Sequence, residues 1–421
     1  MKGVRLRFFA RVNPPTPEFD ALGDADEVPF LPLEAVWPGT KLDVSRRRPK
    51  AEVSTGYTRF REGDVLVPKI TPTFEADRTV LALGLEGGVA AGTTELHIVR
   101  THPEVDPRFV RYVLRARPFL LGGEAAMIGV AGQKRVPEDW LKDYRLDVTD
   151  QRRQRAIADY LDAETARIDA LIAKKRRMIE LLEERFAELV ATAVTQGLHP
   201  GEGLAKGPDW VARAPATWEM WPLGRLVRMV SGGTPNKDTE RFWNGEMPWA
   251  SPKDMKRFRL ADTEDHVSDE AVAVAGLKMV PAGTVLVVVR GMILAHSFPV
   301  AITTEPMTIN QDMKALLPTP RVRPEFLAYL LVGLKSVMLS FVEEAAHGTR
   351  KLATEVWSKL PVAIPGHAEQ RAIEQELERE STHVAKATSR LEHQIGLLTE
   401  RRQALITAAV TGELTVPGAV A

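Results

Sequence analysis

The chain has 421 residues, 44% hydrophobic and 27% charged, with no cysteine and 56 basic against 56 acidic residues. That length allows two to four domains of roughly 100–200 residues each. The absence of cysteine excludes a disulfide framework, thiolate metal sites and cysteine nucleophiles. Zero net charge confines any nucleic-acid contact to local basic patches.

Taken in chain order, Met1–Ala10 has scattered basic residues and too short an apolar stretch for a signal peptide, which needs about 7–15 apolar residues. The longest apolar runs, such as Val285–Val289, fall far below the ~20 residues that span a bilayer. The expected location is therefore cytoplasmic, with no membrane partner. Val65–Ile70 and Glu95–Val99 read as short buried strands. Pro107–Arg117 reads as a short helix opened by proline. A long helix follows over 150–197. Then come a strand at Thr284–Val289, a second proline-opened helix at Pro324–Leu334 and a second long helix over 366–414.

The chain repeats itself. Gln154-Arg155-Ala156-Ile157 recurs as Gln370-Arg371-Ala372-Ile373 at an offset of 216. Held without gaps to Ala193-Val194-Thr195 and Ala409-Val410-Thr411, that offset gives 15 identities over 42 positions. Unrelated sequences would share roughly two or three. Leu377, Val384, Leu391, Leu398 and Leu405 recur every seven residues, and the same register in the first copy gives Leu161, Ile168, Lys175, Leu182 and Leu189. Such a repeat marks a coiled-coil seam. Ile157, Leu171 and Met178 are expected to add a second stripe. One seam requires another, so the two helices are expected to pair antiparallel rather than pack each on its own domain. Lys175 interrupts the seam and can set its register.

The segments before the helices match as well. Gly63–Val67 resembles Gly283–Val287, Pro107-Arg108-Phe109 faces Pro324-Glu325-Phe326, and Gly132-Gln133-Lys134-Arg135 faces Gly348-Thr349-Arg350-Lys351. The expected architecture is α+β: two tandem globular domains and two long helices in a pseudo-twofold repeat. The expected limits are 1–149, 150–197, 198–365 and 366–414, with a tail at 415–421.

At this point the order of elements resembles the specificity subunit of type I restriction–modification systems. Gln154–Asp162, followed by Ile168-Asp169 and Leu171-Ile172, is similar to that family's central helix. Ala193-Val194-Thr195-Gln196-Gly197-Leu198 resembles its end. Gly232-Gly233-Thr234-Pro235, Trp243-Asn244-Gly245, Pro248-Trp249, Arg290-Gly291 and Asn310-Gln311 resemble landmarks of its target-recognition domains, as does Phe60–Ile70 in the first half. The first domain departs from the pattern, with Asn13-Pro14-Pro15-Thr16 in place of Gly-Gly-Thr-Pro. The resemblance implies a non-catalytic chain that reads a split, asymmetric site on double-stranded DNA, one domain per half-site. It also implies docking of two adenine-N6 methyltransferase subunits, which in turn can recruit two ATP-dependent restriction subunits. S-adenosylmethionine, ATP and Mg would belong to those partners, with no cofactor in this chain. A reading of another class stays open: a coiled-coil scaffold whose globular domains bind proteins.

Arg46, Arg47, Arg48 and Lys50 form the densest basic run, expected in a surface loop and a candidate for phosphate contact. Lys134-Arg135 and Arg350-Lys351 follow glycines at equivalent positions, where backbone approaches a phosphate closely. Lys69, Lys253 and Arg290 lie at strand ends or in loops. Arginine suits guanine, and Asn or Gln suits adenine, so Arg290, Asn236, Asn310 and Gln311 are candidate base readers beside Lys237, Gln133 and Thr349. Trp243 and Trp249 fit a core better than base stacking. Lys174-Lys175-Arg176-Arg177 fits a solvated face or partner contact. Enzyme readings fail on the residues. Asn13-Pro14-Pro15-Thr16 has threonine where a methyltransferase loop needs a stacking aromatic. Gly84–Gly88 and Gly201-Glu202-Gly203 lack the Gly-Lys-Ser/Thr of a phosphate loop. The histidines show no metal-ligand spacing.

Overall fold

A computed structural model describes residues 3–36, 42–130, 132–147, 149–199, 203–207, 213–344 and 348–419. The outermost residues of the expected first domain and tail, and Gly201-Glu202, lie outside these. Contacts divide the chain into two compact units, Met1–Arg176 with Leu391–Ala421, and Arg177–Arg390. The limits therefore differ from a plain succession of domains and helices. Each unit joins one globular part to part of both long helices, because the helices' apolar faces pack on the domains beside them.

In the first unit, two four-stranded sheets form the globular part. One runs Ala10–Val12, Leu96–Thr101, Val65–Pro68, Val80–Leu81; the other Arg47–Pro49, Glu27–Leu31, Val89–Gly92, Thr58–Arg61. The strand Val65–Pro68 is buried on both faces, as its unbroken apolar run requires. Helix Pro107–Val113 is opened by proline and by the Asp106 side chain, which accepts from the Arg108 N–H. It ends sooner than expected, and a second helix starts at Arg117. In the second unit the main sheet runs Val227–Ser231, Met313–Pro318, Val285–Val288, Val300–Thr303, Arg259–Leu260. A smaller sheet joins Trp243–Ala250 to His266–Val267 and, in parallel, to Thr308–Ile309. The parallel pair repeats one in the first unit, where Phe30 faces Ala91. The duplication thus extends to strand register.

The long helices are Gln151–Gln196 and His367–Thr411. In the first unit Asp169 binds Arg402 and Lys175 donates to the Gln394 side-chain oxygen at 2.6 Å, so the helices run antiparallel. In the second, Gly197 at the end of one helix lies against Glu369 at the start of the other. Leu161, Ile168, Leu377 and Leu391 are buried, and Leu182, Leu189, Val384, Leu398 and Leu405 half-buried. The second stripe differs from the expected one. Leu171 and Met178 are exposed, while Thr165 and Ile172 are buried and Ile179 and Phe186 half-buried. Alternating steps of four and three residues from Leu161 give this set, which polar Thr165 disguises in the sequence. The tail also packs. Val416 and Ala419 are buried in the same core as Leu6 and Ile157. Among the described residues no helix is long and apolar enough to cross a membrane.

Candidate nucleic-acid interface

In the first unit the strand Val65–Pro68 hands its chain to Lys69 at the surface. The Lys69 carbonyl accepts from the Val136 N–H at 2.8 Å, Thr71 N–H donates to the Lys134 carbonyl at 3.0 Å, and Ile70 bridges Arg135. Gly129 and Gly132 take positive φ of 137° and 81°, and Ile128 pairs antiparallel with Arg135. Gln133, Lys134 and Arg135 are thereby exposed beside Lys69. Arg135 is bound to both oxygens of Glu95, at 2.9 and 2.8 Å, and this guanidinium holds the Glu95 carboxyl below its ordinary value. Among the described residues Lys69 and Lys134 have no ion-pair partner. His97 supports the loop from beneath. Its Nε2 lies 2.9 Å from the Val136 carbonyl and its Nδ1 3.3 Å from the Asn13 amide nitrogen. Burial lowers its pKa below the ordinary value.

The second unit builds the same arrangement from different residues. The strand Val285–Val288 ends where Val289 and Arg290 both donate backbone N–H groups to the Asp312 carbonyl. Arg290 bridges Lys351, and Gly291, at φ 134°, donates to the Arg350 carbonyl at 3.0 Å. Arg290, Lys351 and Gln311 are exposed around this junction. Among the described residues Arg290 and Lys351 have no ion-pair partner, whereas Arg350 binds Glu344 at 2.9 Å. Thr349 is half-buried.

Several expected readers are placed otherwise. Asn310 is 8% exposed, and its side-chain oxygen accepts from the Asp312 N–H at 2.8 Å. It shapes the turn that presents Gln311 and is not free to read a base. The run Arg46–Lys50 is not a loop: Arg47–Pro49 is an edge strand paired with Glu27–Pro29. Each cation there has an acid. Arg46 meets Glu34, Arg47 meets Glu27 and Glu86, Arg48 approaches Glu52, and Lys50 binds Asp24 and the Leu22 carbonyl. Arg48 also lies over the Phe30 ring. Folding thus neutralises the densest basic stretch of the sequence. Lys253 is held by Asp265 at 2.8 Å. Asn236 and Lys237 are exposed on the loop leading to Trp243, and Lys237 borders a cavity of about 420 Å³ with Trp243, Trp249 and Asp265. Trp249 is buried and donates to the Gly233 carbonyl.

The Gly-Gly loop has a steric cause. A Cβ on Gly232 would lie 2.0 Å from the Asn310 carbonyl oxygen. At the matching place in the first unit Asn13, at φ 50°, closes the turn by exchanging bonds with the Ile98 backbone.

Sequence reasoning missed what joins each domain to its helix. Gln154 is 2% exposed; it accepts from the Asp106 N–H at 2.9 Å and donates to the Thr149 carbonyl at 2.7 Å. Gln370 is 0% exposed and does the same with Arg323 N–H, at 2.8 Å, and the Pro365 and Arg321 carbonyls. The Tyr112 hydroxyl donates to Asp162 at 2.7 Å, and that of Tyr329 to Glu378 at 3.2 Å. The signal was present: a glutamine opens both copies of the strongest repeat.

Each α+β unit thus carries one glycine-held junction where a buried strand ends beside cations that have no ion-pair partner among the described residues. Residues 215–393 match the family described as type I restriction modification DNA specificity domain. The chain is 31% identical over 176 residues to the specificity subunit of the type I restriction enzymes EcoR124I/EcoR124II of Escherichia coli, covering 42% of this chain and 44% of that one. It is 35% identical over 145 residues to the EcoEI specificity subunit of Escherichia coli, covering 34% and 24%. The chain thus spans less than half the length of these curated relatives. A solved chain from a study of type I restriction–modification complex assembly and conformational transition shares the fold at TM-score 0.74 and 17% identity, over 98% of this chain and 99% of that one. The HsdS subunit of Thermoanaerobacter tengcongensis aligns at TM-score 0.50 and 17% identity, over 98% and 97%. The similarity to type I specificity subunits expected from the sequence is found.

Proposed function

We propose that this chain recognises DNA for a type I restriction–modification complex. Each globular domain reads one half of a split site, and methyltransferase subunits dock on the chain and act on adenine. The observation that carries the reading is the paired junction. Lys69 and Lys134 in one unit, and Arg290 and Lys351 in the other, have no ion-pair partner among the described residues and stand at glycine-held junctions. Phosphates need such cations, and Arg290 and Gln311 have the donors and acceptors that read guanine and adenine in the major groove. The long helices would set the number of undefined base pairs between half-sites. Cofactors for methyl transfer and for ATP-driven restriction would be held by partner subunits.

The test is genome-wide adenine methylation with the gene intact and deleted, with partner expression verified in both strains. Loss of methylation at one split motif is the expected result and names the site. An unchanged methylome overturns the proposal.

A further inference from the structure

Ile128 and Val130 are 71% and 74% exposed, the two most exposed large apolar side chains among the described residues. They belong to the loop that carries Lys134. Its described residues are tied by backbone hydrogen bonds. Ile128 and Arg135 exchange backbone hydrogen bonds at 3.0 and 2.9 Å, Gln133 N–H donates to the Val130 carbonyl, and Lys134 is tied to Thr71 on both its N–H and its carbonyl. A Cβ on Gly129 would lie 2.8 Å from the Gln133 carbonyl oxygen, so the strand-to-strand approach depends on glycine. The second unit repeats the combination from other residues. Met292, 64% exposed, follows Arg290 and Gly291 and stands at the junction with Lys351.

Exposed apolar tips beside cations that have no ion-pair partner among the described residues fit one kind of surface well. A DNA duplex offers phosphates to the cations and, between them, stacked bases that accept an apolar wedge. We infer that Ile128 and Val130, and Met292 in the other unit, are wedges that enter the base stack, so that the chain deforms its site as well as reading it. The inference rests on the DNA-recognition reading above. Neutralisation of Glu95 by Arg135 leaves the first loop net positive, which favours DNA over a basic or uncharged protein groove. An unstacked step also lowers the cost of extruding a neighbouring base, which a partner modifying adenine requires.

The experiment uses the full chain with its co-expressed partners and a duplex carrying the motif found by methylation sequencing, with 2-aminopurine replacing one adenine at a time. The unaltered protein is expected to raise 2-aminopurine emission at a step in each half-site. The double variant I128A/V130A should abolish the rise in one half-site and M292A in the other. Each should weaken binding roughly tenfold with an unchanged salt slope. K134A should do the reverse, keeping the emission and lowering the slope by about one. The exposed positions leave the unfolding midpoint unchanged. Binding with no emission rise, or a rise that survives I128A/V130A and M292A, overturns the wedge and leaves recognition standing. Loss of the methyltransferase on co-purification with DNA behaviour intact shows a protein-docking loop and also overturns it. A chain that binds no duplex overturns the recognition reading and the wedge together.

Discussion

Gln154 and Gln370 show how one residue type ties a domain to a helix. Each is buried, and each satisfies the N–H of the residue that caps the following proline-opened helix. Truncation leaves that N–H and one carbonyl at Gln154, or two at Gln370, unmet inside the protein. Gln154→Ala and Gln370→Ala should each cost about 1–3 kcal/mol, read as a lower urea midpoint. His97 gives a pH dependence. Its neutral form donates from Nε2 to the Val136 carbonyl and accepts at Nδ1 from Asn13. Burial is the largest cause of its lowered pKa; Lys69 and Lys142 push the same way, against Glu138. A histidine depressed in the folded state binds its proton more readily when unfolded. Its contribution is therefore complete above the ordinary value near 6.5 and declines as pH falls through the folded pKa. The melting temperature should fall on acidification from pH 7.5 to 5.5, and His97→Gln should flatten that part of the fall. An equal fall in the variant would assign it to other groups.

At the scale of the element, the two long helices are legible because a seven-residue repeat is a local property. Their detailed faces are not. The stripe beside Leu161 and Ile168 runs through Thr165 and Ile172, leaving Leu171 exposed. Apolarity favoured Leu171; geometry selects the position four residues beyond Ile168. Leu161→Ala should cost about 2–5 kcal/mol, a buried truncation, and Leu171→Ala under about 0.5 kcal/mol. Equal costs, measured by urea unfolding, would place the seam elsewhere. The helix ends repeat as faithfully as the seam. A Cβ on Gly197 would lie 3.3 Å from Glu369, and one on Gly412 4.0 Å from Arg153, which occupies the position equivalent to Glu369 at the offset of 216. Both glycines take positive φ near 80°, the left-handed stop that ends a helix.

For the whole molecule, helix length is the quantity that function would read. Under the proposed recognition, inserting one heptad at matched places in both helices keeps the seam in phase and adds about 10.5 Å of helix. The spacer of the methylated motif should lengthen by about three base pairs, at roughly 3.4 Å each, with the half-sites unchanged. Altered half-site bases would refute the helices as a ruler. Salt titration of DNA binding belongs to the same scale. Lys69→Ala and Lys351→Ala should each lower the slope by about one, and Arg46→Ala, already paired with Glu34, should leave it unchanged.

Duplication, helix limits, the order of motifs and the placing of glycine loops at equivalent positions were determined by the sequence alone. Periodicity and repetition are carried by neighbouring residues and survive without knowledge of contacts. Tertiary structure decided which cations are free. Arg46–Lys50 carries the highest local charge, yet acids distant in sequence, from Asp24 to Glu86, take it up. Lys134 and Arg290 belong to sparser stretches and have no ion-pair partner among the described residues. It also decided that Asn310 turns inward while Gln311 does not, and that the tail completes a core. Charge neutralisation and burial depend on residues brought together from far along the chain, and no local pattern records them.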